Sequence, residues 1–190
     1  MKATRGLSIM ALALPFAAAA SQPAARHGAP AAAQAEGDCP RYEDGPELPR
    51  FAHYPAARRV RTWAAPVLAS REARLHRSAI GAEVANGPNF AGDYTLAAWG
   101  CGNACTQVAI VAARTGRIFF PPQLRRIGTD RIGNWDGGRA LRYRGLRFCR
   151  DSRLLAVVGQ SGGRDGTTYF EWTGTALREI AAAPGAGHPR

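Results

Sequence analysis

Apolar and polar positions along residues 70–85 alternate with the period of an α-helix. At 3.6 residues per turn, the apolar residues of this segment fall roughly along one face: Leu75, Ala79, Ile80 and Val84. Ser70 is a favourable N-cap for such a helix, and Asn86-Gly87-Pro88 is a stop signal. The pattern therefore predicts one amphipathic helix over residues 70–85 that buries this apolar face.

Beyond residue 88 the helical period gives way to short apolar runs separated by turn residues. Strands are predicted over residues 94–99, 107–112, 117–120, 139–148, 154–158, 168–172 and 176–180. Connections such as Asp151-Ser152 and Thr173-Gly174-Thr175 suit hairpins and leave no room for parallel crossovers. The predicted fold is α+β, a mainly antiparallel sheet of hairpins that carries one N-terminal amphipathic helix.

The two ends of the chain lack the composition of a folded core. Residues 1–20 combine a basic start, an apolar run and Ala18-x-Ala20, which together predict a signal peptide. The apolar run is shorter than the roughly 20 residues that span a bilayer, so no membrane span is predicted. Residues 21–38, rich in Ala and Pro, are predicted to be a disordered linker. The prediction is then one α+β domain over residues 39–180, a flexible tail over 181–190, and a periplasmic or secreted location.

Four cysteines remain after the predicted cleavage, and an even number in an oxidising compartment indicates disulfides. If residues 94–99 and 107–112 form a hairpin, Cys101 and Cys105 flank its loop at disulfide distance. Elimination then pairs Cys39 with Cys149, although four cysteines permit three pairings. A zinc site would need a second close pair of Cys or His. No metal and no cofactor is predicted.

The charge of the chain is strongly positive but says little about its partner. The formal net charge of +11 becomes +9 when Lys2 and Arg5 leave with the signal peptide, and every remaining basic residue is arginine. A chain rich in arginine and poor in lysine is also typical of a GC-rich genome. The high pI is therefore weak evidence that the protein binds nucleic acid. No nucleic-acid partner is expected for an exported chain.

Several short motifs occur together between residues 70 and 180. They are GPNFAGDY over residues 87–94, WGCG over 99–102 with Cys105, Thr115-Gly116, DSRLL over 151–155 and YFEW over 169–172. This combination resembles a family of small exported bacterial proteins for which no activity is established. The resemblance implies a domain and a compartment, and no mechanism. Members of that family often have His at the position of Asp93, so the resemblance implies no histidine chemistry there.

The sequence GQSGG over residues 159–163 matches the G-x-S-x-G motif of serine hydrolases. In those enzymes the serine stands between a strand and a helix, whereas here a second predicted strand follows. The motif is therefore predicted to be a glycine-rich hairpin loop, in which Ser161 is not a nucleophile. No catalytic residue is predicted.

Arginine alternates with apolar residues in residues 139–148, which predicts an arginine stripe on one face of the sheet. The stripe consists of Arg142, Arg144 and Arg147, and guanidinium groups suit carboxylates and phosphates. The favoured hypothesis is a non-enzymatic binding module for an anionic envelope polymer or an acidic protein. The alternative is a small periplasmic hydrolase whose carboxylates, such as Asp93 and Asp136, come together only in the fold. The sequence indicates no oligomeric state.

Overall fold

The computed structural model describes residues 39, 48–57, 59–129, 143 and 145–184. The predicted signal peptide and linker, residues 1–38, lie outside the described residues. Two short helices, α1 (Arg71–Leu75) and α2 (Arg77–Ala85), precede the sheet. The strands follow in chain order: β1 (Tyr94–Gly100), β2 (Cys105–Ala112), β3 (Ile118–Phe119), β4 (Ile127–Gly128), β5 (Leu146–Arg147), β6 (Leu154–Ser161), β7 (Arg164–Trp172) and β8 (Leu177–Pro184). Short 3-10 turns lie at Phe51–His53 and Pro122–Leu124.

The helical segment differs from the single helix that its period predicts. Ser70 is the N-cap, as predicted, and its Oγ accepts from the backbone N–H of Ala73 at 3.0 Å. The helix then breaks at His76, so α1 and α2 do not share one continuous face. Ile80 and Val84 are buried, but Leu75 is 73% exposed. The prediction of one helix with Leu75 on its buried face is wrong: the segment forms two helices, and at 3.6 residues per turn Leu75 would lie roughly opposite Val84 even on an unbroken helix.

The strands form one antiparallel sheet in the order β1-β2-β4-β6-β7-β8, with β3 on β2 and β5 on β6. Most connections are hairpins between neighbours in the sequence, so the predicted fold class, α+β with a mainly antiparallel sheet, is confirmed. The strand predicted over residues 139–148 is present in the described residues only as β5. At the other end, residues 181–184 pair with β7, so β8 runs to Pro184; the prediction of a flexible tail that begins at residue 181 is wrong for these four residues, and the rest of that tail lies outside the described residues.

The sheet curls around its main hydrophobic core. β1 and β7 are well separated in the strand order, yet the rings of Tyr94 and Trp172 pack edge to face with centroids 5.3 Å apart. The Tyr94 hydroxyl also donates to the carbonyl of Gly174, in the β7–β8 loop, at 3.3 Å. The concave face therefore encloses side chains from nearly every strand, including Leu96, Ile110, Leu146, Val157 and Phe170.

Two smaller clusters cover the opposite face of the sheet. Ile80 and Val84 of α2 pack on Ala97 of β1 and Val111 of β2. Farther along the sheet, Phe51 packs on buried residues of β6 and β7, with partly buried Leu48 and Tyr54 around it. No helix in the described part of the chain is long and apolar enough to cross a membrane. The helical layer and the segment around Phe51 therefore cover different parts of this face.

Candidate functional site

The two predicted disulfides are present. Cys101 and Cys105 flank the β1–β2 loop with their Cα atoms 5.2 Å apart. Cys39 and Cys149 are joined across 110 residues with a Cα–Cα distance of 5.0 Å. All four predicted cysteines are therefore structural, and the described residues contain no free thiol. Disulfides of this kind belong to proteins of an oxidising, extracytoplasmic environment.

The DSRLL motif fastens the segment around Phe51 to the sheet. Ser152 is fully buried, and its Oγ lies 2.8 Å from the carbonyl oxygen of Phe51 and 3.0 Å from that of Tyr54. Asp151 forms an ion pair with Arg59, which precedes the helical layer. These contacts give Asp151 and Ser152 a structural function.

Glu171 of the YFEW motif lies between two arginines. It forms ion pairs with Arg153 and Arg178 while its own side chain is almost entirely buried. The hydrogen bond from Arg178 is the largest influence on the Glu171 carboxyl, and with the positive charge of both arginines it lowers the pKa below its usual value despite burial. Glu171 is thus held ionised as the centre of a clamp between β6, β7 and β8.

GQSGG forms the β6–β7 hairpin, as the sequence predicts. Gly162 and Gly163 connect the strands with φ of 58° and 80°, the left-handed conformation that glycine adopts without strain. Ser161 is buried, and its Oγ donates to the carbonyl of Gln123 at 3.0 Å. The hydroxyl therefore joins the hairpin to the neighbouring 3-10 turn.

The GPNFAGDY motif closes the outer edge of the sheet. The side-chain amide of Asn89 accepts from the N–H of Leu96 at 2.8 Å and donates to the carbonyl of Leu96 at 3.3 Å. Its nitrogen also lies 3.1 Å from the hydroxyl of Tyr143, which donates to Glu83 Oε2 at 2.5 Å. Asn89 thus occupies the position at which another strand would pair with β1.

The predicted arginine stripe does not appear as an exposed face. Arg147 is only 6% exposed, and its guanidinium donates to the carbonyl of Leu146 at 3.2 Å. The alternation predicted for residues 139–148 does not bring Arg147 to the surface, because both residues of β5 are buried. Arg142 and Arg144 lie outside the described residues. Arg147 therefore does not lie on an exposed face, and binding of an anion by Arg142, Arg144 and Arg147 stays a prediction.

The acidic and histidine side chains do not converge on one place. Within the described stretches, no group of three or more His, Cys, Asp or Glu side chains could hold a metal ion. The imidazole of His76 stacks on Trp99 with ring centroids 4.4 Å apart. Asp93 stands at the start of β1, where its carbonyl accepts from Ala113. Its proposed catalytic partner, Asp136, lies outside the described residues.

A different set of arginines surrounds the segment 64–70. Arg74 donates to the carbonyls of Leu68 and Ala69, at 3.3 and 2.8 Å. On the other side, the N–H of Val67 donates to the carbonyl of Gly116 at 2.8 Å, and this glycine lies between Arg114 and Arg117. We refer to the following exposed residues as the arginine face: Arg71, Arg74, Arg77, Arg114 and Arg117. None of them forms an ion pair with a carboxylate in the described part of the chain.

A cavity of about 250 Å³ opens beside Arg117, one residue of the arginine face. Its lining combines aliphatic walls with a hydroxyl and a guanidinium: Val67, Ala69, Ser70, Ala73, Arg117 and Ile118. The nearest acidic residue of α1, Glu72, is engaged by Arg125 and Gln107, both at 3.2 Å. The face is therefore positively charged and can accept an anion that carries a small apolar group.

Sequence reasoning missed the arginine face. The spacing of Arg71, Arg74 and Arg77 was available in the sequence, but the continuous helix predicted there drew attention to the apolar positions. The contributions of Arg114 and Arg117 depend on how the segment 64–70 packs along the β2–β3 turn, for which no periodic signal exists.

Comparisons of the chain with protein-family models, with curated proteins and with solved structures found no match.

Proposed function

We propose that this chain is an exported, non-enzymatic binding module that holds an anionic envelope polymer or an acidic protein on its arginine face. One observation carries the proposal: Arg117 lines a cavity, and this arginine and the other exposed arginines of the arginine face lack carboxylate partners in the described part of the chain. A guanidinium without such a partner can bind a carboxylate or phosphate through its planar fork. The proposal moves the site from the predicted stripe to the helical side of the molecule.

We further propose that a signal peptide over residues 1–20 delivers the protein to the periplasm or to the medium. The disulfides support this route, because thiols remain reduced in the cytoplasm of most organisms. The basic start, apolar run and small-residue cleavage site of residues 1–20 support it as well. Motif resemblance to small exported bacterial proteins agrees with the same location.

Structural use of the motif residues supports a binding function over catalysis. Ser161, the residue with the strongest resemblance to a nucleophile, has its hydroxyl engaged within the fold. Asp151 and Glu171 are held in ion pairs with arginine. These polar groups stabilise the scaffold, whereas the arginines around the cavity face solvent.

The test measures binding of the oxidised protein to soluble peptidoglycan fragments and to a poly-glutamate peptide at increasing salt. Arg71 and Arg114 make no side-chain hydrogen bond or ion pair with the described residues, so both can be replaced by Ser without loss of a structural contact. We expect affinity to fall roughly two- to fivefold for each arginine removed, and to fall with salt for the unmodified protein.

The matched control is Arg50→Ser with Arg126→Ser, which removes the same charge from two exposed positions that lie outside the cavity lining and, like Arg71 and Arg114, make no side-chain hydrogen bond or ion pair with the described residues. Its affinity should stay close to that of the unmodified protein. An equal loss in both double variants would show that only net charge matters. Full affinity in the Arg71→Ser, Arg114→Ser variant would contradict the proposed site.

A further inference from the structure

Large apolar side chains reach the surface at one segment of the described chain. Trp63 is 41% exposed, Val67 is 54% exposed, and Leu75 is the most exposed of the three. All of them fall within residues 63–75, which also contribute Arg71 and Arg74 to the arginine face. Exposed apolar residues that recur in one short segment beside exposed arginines make that segment a candidate interaction surface.

The fold holds two of these side chains in place. The indole of Trp63 lies against Gly87, where an added Cβ would stand 2.9 Å from the ring atom Cη2. The backbone of Val67 is fixed by its hydrogen bond to Gly116, and its side chain forms part of the cavity wall. Neither residue can move inward without displacing this packing, so their exposure belongs to the folded structure.

On these observations we propose that the segment 63–75 and the arginine face dock the protein on the surface of an anionic phospholipid bilayer. This inference rests on the proposed function, because it uses the same arginines. Their guanidinium groups would contact lipid phosphates, and Trp63 would lie at the level of the headgroups, where tryptophan is favoured. Val67 and Leu75 would enter the adjoining acyl region. Docking of this kind needs no spanning helix.

Charge and apolar area together favour a bilayer over a soluble anion. A hydrophilic polyanion can neutralise the arginines, but it provides no apolar phase in which Leu75 can be buried. A bilayer supplies phosphate and hydrocarbon within a few ångströms of each other. The cavity has the same dual character, with Arg117 and Ser70 beside four aliphatic walls.

The test is co-sedimentation of the full oxidised protein with vesicles of phosphatidylethanolamine and phosphatidylglycerol, and with vesicles of phosphatidylcholine alone. We expect binding only to the anionic vesicles. Loss of Arg71 and Arg114 should weaken it about 25-fold, since each basic residue near such a surface contributes about a fivefold factor. Leu75→Ser should weaken it at least about tenfold, the lower end expected when a leucine leaves an apolar phase.

Leu75 serves as the main apolar probe because its exposure makes Leu75→Ser compatible with folding, whereas Trp63 packs on Gly87. The Arg50→Ser, Arg126→Ser variant should bind anionic vesicles nearly as well as the unmodified protein. Equal binding of Leu75→Ser and the unmodified protein would overturn bilayer docking. So would tighter binding to poly-glutamate than to anionic vesicles, and that result would leave the proposed function intact. Failure with every anion would remove both proposals.

Discussion

Removal of the Cys39–Cys149 disulfide should destabilise the protein far more than removal of the Cys101–Cys105 disulfide. In the chain-entropy description, a disulfide stabilises by restricting the unfolded chain, and its effect grows with the loop that it closes. The first bond joins residues 110 apart, and the second joins residues 4 apart. These separations correspond to about 4.7 and about 2 kcal/mol of unfolding free energy.

The two double variants Cys39→Ala, Cys149→Ala and Cys101→Ala, Cys105→Ala make a matched pair, because each loses one bond and two sulfur atoms. Urea denaturation at 25 °C, followed by tryptophan fluorescence, gives the free energy of unfolding from the midpoint and slope. For a domain of this size, loss of the long-range bond should lower the melting temperature by roughly 10–20 °C.

Equal losses from the two double variants would refute the reasoning. That result would mean that local packing around each bond outweighs the restriction of the unfolded chain. A larger loss from the hairpin pair would also show that the β1–β2 loop cannot form without its cross-link. Each variant is measured without reductant, so the remaining disulfide stays intact in both.

Three further predictions use the same urea measurement. They concern the Glu171 ion pairs, the β2–β3 turn at Gly116, and the exposure of Leu75. Glu171→Gln should cost about 1.5–3 kcal/mol near pH 7. Because the folded-state pKa of Glu171 is lowered, its contribution to the free energy of unfolding is complete above the unfolded pKa and disappears as pH falls through the lower folded value. The difference in unfolding free energy between the unmodified protein and Glu171→Gln should therefore narrow below about pH 4.5. Gly116→Ala should destabilise the protein much more than Gly162→Ala. Both glycines have positive φ, but only at Gly116 would an added Cβ stand 2.0 Å from a carbonyl oxygen. Equal losses of unfolding free energy would show that φ alone matters. Leu75→Ala should change stability by less than about 0.5 kcal/mol and Ile80→Ala by about 2–5, because Leu75 is exposed and Ile80 is buried; the reverse order would contradict this burial.

Local signals in the sequence were enough for the hairpins and the disulfides. The glycines of the β6–β7 turn, the small residues between Cys101 and Cys105, and the N-cap Ser70 each act over a few positions. Such features depend on nearby backbone preferences, which a sequence displays directly. The antiparallel fold class follows from the short connections between strands.

Long-range packing determined the features that were not predicted. The break at His76 accompanies stacking of its ring on Trp99, a residue of β1. Burial of Arg147 follows from the pairing of β5 with β6, and alternation in the sequence cannot show that both faces of β5 are covered. The arginine face forms where segment 64–70 meets the β2–β3 turn, two stretches that are far apart in the chain.

The side chain of Asn89 has a consequence for how copies of this sheet can associate. Its amide takes both backbone groups of Leu96 on the outer edge of β1, so a strand from another molecule finds no partner there. Across the described residues, β8 pairs only with β7. Growth of a fibre by addition of sheet to sheet requires two open edges on every copy. Because Asn89 blocks the β1 edge at Leu96, strand pairing between copies is favoured at β8, and this asparagine favours pairs of molecules over open-ended addition.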